Sequence, residues 1–451
     1  MAQELARADH GRHGPLSSGL RRELGFLPLL AVVFFNVSGG PYGIEDTVGV
    51  FGPGLVLLLL VITPLVWSLP ISLAMAEMAS ALPEEGGFVA WVRRAFGPFW
   101  GFQAGWWSWV NSFVDVAVFP ALFADYLRFW WPGMSPGQRG ALALGFIWIL
   151  TALNLMGARI TGWCAAALGL VVLAPVVLFT AVAAVQARHV PWIPFANERQ
   201  GTMAGLGLGL AAMMWNYSGW DTPTTCLGET RAPRTAFRRA LWLALPLIAL
   251  VYLLPVGAAL SATGDWARWT TGYLPVAAQA VGGPWLAGFV MLGGLVASAG
   301  LFVSLLLTNS RLPFALAASG QMPPAIARVD RRWGTPWVSV LLSSACYSLF
   351  AFWSFKELVV LDMWLYSIAL LLELGAFVAL RRREPDLPRP WRVGGGAAGM
   401  WLTAALPAGC ALLAMATAGW TNTVVGAAAA LTGPLAYWFW RDRRTAPGAA
   451  G

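Results

Sequence analysis

At 451 residues, 58% of them hydrophobic and 11% charged, with a mean hydropathy of +0.64, the chain is too apolar for a soluble domain of this size. Its net charge of +8 comes from arginines that flank apolar runs, which reads as membrane topology and lipid headgroup contact and sets nucleic-acid binding aside. Cys164, Cys226, Cys346 and Cys410 stand singly without disulfide or zinc spacing, and the three histidines (His10, His13, His189) lie outside the apolar runs. No metal, cofactor or membrane-embedded catalytic cluster is therefore expected.

In chain order, residues 1–23 read as a flexible cytoplasmic tail. About twelve apolar stretches near the roughly 20 residues of a spanning helix follow: 25–50 (interrupted), 54–80, 101–131, 140–156, 160–186, 203–227 (interrupted), 240–262, 285–316, 336–354, 358–380, 398–418 and 421–440. Continuous runs of this length exclude the short alternating strands of a β-barrel. Residues 24–37 could mimic a signal-peptide core, but no small-residue cleavage site follows and the segment resumes after its break. With both termini in the cytoplasm, only Arg128, Arg139, Arg188, Arg199, Arg268 and Lys356 of the 29 basic residues fall outside, so the positive-inside rule favours that topology in the cell membrane. The outer loop 263–284 carries Asp265, Trp266, Arg268 and Trp269 and either covers a vestibule or anchors at the interface.

The first and sixth runs share a motif. Phe35-Asn36-Val37-Ser38-Gly39-Gly40 and Trp215-Asn216-Tyr217-Ser218-Gly219-Trp220 both read aromatic-Asn-x-Ser-Gly. Unpaired backbone groups cost several kcal/mol in hydrocarbon, so a glycine-rich break is tolerated only against protein or a watery cavity. Two matched breaks point to a transporter site at a repeat interface. If each broken span opens a five-helix unit, the odd number inverts the second unit. The expected fold is thus all-α and integral to the membrane: a first repeat at 24–200 (spans 1–5), a second at 201–382 (spans 6–10), two peripheral spans at 383–440 and a cytoplasmic tail at 441–451.

These residues resemble the amino acid–polyamine–organocation superfamily and, within it, the polyamine uptake branch of plants and protozoa with bacterial relatives. The carrying strings are Val37 to Asp46, Pro83 to Phe88, Gly97 to Gln103, Asp115 with Pro120, Asp125 to Leu127, Asn154 to Gly157 with Gly162-Trp163, Trp215 to Asp221, Gly228 to Pro233, and Asn309 to Arg311 with Gly320 to Pro323. The resemblance runs from about 24 to 345. It implies alternating access, substrate head-group binding at the unwound stretch Ser38, Gly39, Gly40 and Gly43, and inner-face charges as a gate, for which Glu229 with a neighbouring arginine is the preferred pair. Gly219, Met156 and Arg159 depart from the branch pattern; Gly219 is expected to enlarge or loosen the sixth-span break.

Site chemistry divides the substrate hypotheses. Glu45 and Asp46 follow the first break, where a bare half-helix N-terminus would favour a carboxylate but two acids favour a cationic amine; the alternative is that they cap the half-helix, or that one caps while the other faces the cavity. Asp115, a carboxylate inside the third span, is either a substrate or proton partner or a group paired with Asn111 or Ser112. Asp221, just past the second break, reads similarly, and Glu373 is a further acid for proton coupling together with Asp115 and Glu45. Trp215, Tyr217, Ser218, Gly219 and Trp220 straddle the second break and offer cation–π faces or a gate; Trp106, Trp107 and Trp109 are further aromatics. The expected function is proton-coupled import of polyamines or related organic cations, with an amino acid permease or exchanger as the alternative and a membrane enzyme as a remote one. Protons, membrane lipids and a small-molecule substrate are the expected partners. No pore-lining ring or soluble output domain suggests a channel or sensor. Oligomeric state is not readable.

Overall fold

A computed structural model describes residues 19–128, 130–198, 209–210, 212–352 and 355–445, with side chains of 355–361 and 441–445 left aside. The expected boundary at 201, the start of the sixth span, most of the tail 1–23 and residues 446–451 of the tail 441–451 lie outside the described residues. Within them the regular structure is all helical, apart from one isolated bridge between Leu24 and Thr230. Among the described residues, eight helices are long and apolar enough to cross a bilayer, including Pro53–Ala81, Pro98–Leu127, Ala158–Val185, Pro233–Thr263 and Leu274–Ala318. Phe26–Val37, residues 209–210 and 212–216 with Thr222–Glu229, Trp337–Phe350 and Trp420–Thr445 fall on the remaining expected spans.

Local chemistry explains where helices start. Proline occupies the first turn at Pro53, Pro98, Pro136 and Pro233, where its missing N–H removes no helical bond. Ser135 and Gln138 form a reciprocal capping box ahead of Pro136–Leu155. The eighth span begins at Leu274, eleven residues earlier than its apolar run suggests, because Pro275 starts a turn of helix that bends at Gly283 (φ 75°). The loop expected at 263–284 is correspondingly short. The inner loop expected at 83–98 instead holds the helix Phe88–Phe96, which buries Phe88, Val89, Trp91 and Val92 and ends on Arg93 and Arg94, matching its negative terminus.

The core surrounds the broken spans. Val32, Val33 and Phe35 of the first span are fully buried, enclosed by the fifth, seventh and eighth spans. The third span packs on the tenth and twelfth spans, with Trp106 Nε1 donating to Thr432 Oγ1 and Trp107 Nε1 to the Ala430 carbonyl, each at 2.9 Å. Those tryptophans, considered above as site aromatics, fasten the last span. At the arginine-rich face, buried Glu77 of the second span meets Arg381 at 3.4 Å and Arg389 at 3.3 Å and accepts from the Val393 amide at 2.7 Å. The end of the expected tail is also packed: Leu20 and Leu24 are buried, Glu23 and Leu24 amides donate to the Glu229 carbonyl, and the Arg231 amide donates back to Leu24.

Candidate functional site

The two breaks are built alike. Asn36 and Asn216 each turn their amide nitrogen back to the carbonyl four residues earlier, Val32 at 2.8 Å and Ala212 at 2.9 Å. After each Asn the helix fails. Ser38 is extended (φ −149°) and Gly40 and Gly43 adopt φ of 102° and 90°, a region that disfavours side chains. Gly219 (φ 96°) ends the sixth-span helix, and the space of a Cβ there is filled by the Asn36 carbonyl oxygen. Gly219 therefore lets the breaks touch, where a looser break was expected. The Tyr252 hydroxyl of the seventh span donates to the Asn216 carbonyl at 3.0 Å and lies 3.5 Å from that of Val37, joining both broken ends.

Beside this junction lies a cavity walled by the first, third, sixth, eighth and tenth spans. Among its lining residues are three aspartates, Asp115, Asp221 and Asp362, and no lysine, arginine or histidine. Asp221 accepts from the Tyr366 hydroxyl at 2.6 Å, and the same hydroxyl oxygen accepts from the Gly219 amide at 3.2 Å. Asp115 has neither hydrogen bond nor ion pair among the described residues, and its charged neighbours are Asp221 and Asp362. The pairing considered for it goes elsewhere: Ser112 donates to the Trp109 carbonyl, and Asn111 hydrogen-bonds Asp362.

Of the residues singled out from sequence, Gly39, Asp115, Trp215, Ser218, Gly219 and Asp221 line this cavity. The others are held elsewhere. Ser38 Oγ accepts from the Gly40 amide at 3.1 Å, and Glu45, fully buried, accepts from the Gly43 amide at 2.7 Å and the Tyr126 hydroxyl at 2.6 Å. Asp46 turns to the loop after the seventh span, accepting from the Thr271 amide and hydroxyl at 2.7 and 2.9 Å. Tyr217 donates to the Leu60 carbonyl and Trp220 to the Tyr217 carbonyl, both inside the protein. Glu373 is buried in the tenth span near Asp221, and neither of its oxygens has a hydrogen-bond partner among the described residues. The sequence reading passed over Asp362 and Tyr366. Asp362 was legible by the same rule as Asp115, a carboxylate within an apolar run, but its place near the start of the run resembles an ordinary interfacial charge.

On the arginine-rich side, Glu229, at the end of Thr222–Glu229, pairs with Arg311. The guanidinium grips the carboxylate in a fork at 2.7 and 2.9 Å, with both side chains buried. The partner is thus not a sequence neighbour of Glu229 but a residue of the eighth span. Arg311 also donates to the Leu307 carbonyl and Ser310 hydroxyl, so its polar edge is shared between spans.

The model of the amino acid permease family matches residues 24–440. The chain is similar to polyamine transporter PUT1 of Oryza sativa subsp. japonica, 36% identical over 388 residues (86% of this chain, 72% of the relative). It is similar to polyamine transporter RMV1 of Arabidopsis thaliana at 34% over 383 residues (84% and 77%) and to an uncharacterized transporter of Mycobacterium tuberculosis at 26% over 345 residues (74% and 74%). With its apolar helices, this makes it a multi-pass membrane protein that transports and is not an enzyme, and the chain belongs to the amino acid permease family.

Proposed function

We propose that the protein imports polyamines across the cell membrane by alternating access, coupled to protons, with its arginine-rich face in the cytoplasm. The observation that carries this reading is a cavity with three aspartates and no basic side chain among its lining residues. A protonated amine entering it gains charge-assisted hydrogen bonds, whereas the carboxylate of an amino acid would be desolvated beside like charges. Trp215 on the wall adds a cation–π face worth about 0.5–2 kcal/mol. The donors of the first break favour the same reading, because Gly40 and Gly43 amides already bond Ser38 and Glu45. Glu373, a buried carboxyl without a partner beside Asp221, and Asp115 are the groups assigned to carry the coupling proton. Glu229 and Arg311 act as the inner gate, parting when the cytoplasmic side opens.

The test is uptake of labelled putrescine, spermidine and an amino-acid panel into proteoliposomes at two pH values. Uptake of the amines that accelerates with an inward proton gradient supports the proposal. Transport of neutral amino acids, with amines neither entering nor competing, replaces it with an amino acid permease.

A further inference from the structure

The third and tenth spans run antiparallel, as Arg94, just before the third, pairs with Glu384, just after the tenth, at 2.7 Å. Each presents two polar groups to the cavity four residues apart: Asn111 and Asp115 on one, Asp362 and Tyr366 on the other. Four residues make one helical turn, on the order of 6 Å along the axis. Tyr366 holds Asp221, so Asp221 lies about one turn along the tenth span from Asp362. Asp115 is thus a charged neighbour of each of the other two acids, which lie about one turn apart along the tenth span.

At the Asp362 end the donors fall short: Asn111 and Trp215 hydrogen-bond the Asp362 side chain, yet one oxygen of each of two residues is left over. Asp362 is 3% exposed and Asn111 6% exposed, and Oδ1 of each is buried without a hydrogen-bond partner among the described residues. An unmatched buried acceptor is costly, more so when charged, so two of them facing one cavity call for a donor from the substrate. An ammonium offers three donors and a positive charge.

Resting on the polyamine reading, we propose that Asp362 and Asn111 form a second ammonium subsite, about one turn from Asp221, which makes the transporter select dications over monocations of equal chain length. The first ammonium sits at Asp221 and Asp115, and the second takes the unmatched Oδ1 atoms. The spacing suits the two nitrogens of a short aliphatic diamine, or one segment of a longer polyamine. Asp362 acts here through specificity, and Asn111 orients it.

The test compares competition by putrescine and by butylamine against labelled putrescine in proteoliposomes, for the unmodified protein, Asp362→Asn, Asp362→Glu and Asn111→Leu. Ligand-induced thermal shifts on purified protein serve as a readout independent of transport. The expected result is a diamine preference of at least tenfold that falls by about tenfold in Asp362→Asn and Asn111→Leu and is largely restored in Asp362→Glu. An undiminished preference in folded Asp362→Asn overturns the subsite while leaving polyamine import intact. Binding of neither amine by the unmodified protein overturns both.

Discussion

Each broken span carries acid near its break, yet the acids are used differently. Glu45 and Asp46, after the first break, are consumed by the protein: one is clasped by Gly43 and Tyr126, the other by Thr271. Asp221, after the second, accepts from Tyr366 at 2.6 Å and from Thr222 at 3.5 Å and still lines the cavity, together with Asp115 and Asp362. The difference teaches that an acid at a helix break is open to a ligand only where the fold turns it toward a cavity. In a matched repeat, one half can supply rigidity while the other supplies charge.

Substitutions can break this comparison. Asp221→Asn should cost the most, lowering polyamine uptake at least a hundredfold, about 2.8 kcal/mol, while Tyr366 can still donate to the amide oxygen and keep the fold. Normal uptake by a correctly folded variant would move the charge requirement elsewhere. Gly219→Ala should destabilise by about 2 kcal/mol or more, since it forces a side chain into positive φ and against the Asn36 carbonyl; thermal unfolding in detergent reads this directly. Asp115→Asn should reduce polyamine uptake about tenfold (about 1.4 kcal/mol) and flatten its pH dependence.

The first-break acids should do less to selectivity. Glu45→Gln keeps the Tyr126 contact but weakens the one to Gly43, a loss of about 1 kcal/mol of stability, with the ratio of amine to amino-acid uptake unchanged. A switch toward amino acids in that variant would place Glu45 at the substrate after all. Asp46→Asn, which can still accept from Thr271, should change uptake by less than about twofold, within the small cost of an altered surface-type hydrogen bond.

Much of the architecture was legible because it follows from lengths and breaks. The apolar runs gave the spans, and the repeated aromatic-Asn-x-Ser-Gly string marked two segments that meet at Gly219 and Asn36. What the string could not convey was facing. Nothing in Glu45-Asp46 signals that Tyr126 and Thr271, far along the chain, will claim them. Tyr217 and Trp220, though adjacent to lining residues, turn into the packing, where the carbonyls of Leu60 and Tyr217 accept their hydrogen bonds. Glu229 found its arginine across the fold: pairing of buried charge is decided by helix packing, not by proximity in sequence.

The bridge between Leu24 and Thr230 makes the front of the chain a usable handle. Because the Glu23 and Leu24 amides bond the carbonyl of the same Glu229 whose side chain grips Arg311, a reporter dye attached near residue 20 would sit beside the ion pair proposed as the inner gate. If that pair parts during transport, the dye's brightness or quenching would follow each turnover in real time. Trimming the chain past Leu24 would remove that brace from Glu229.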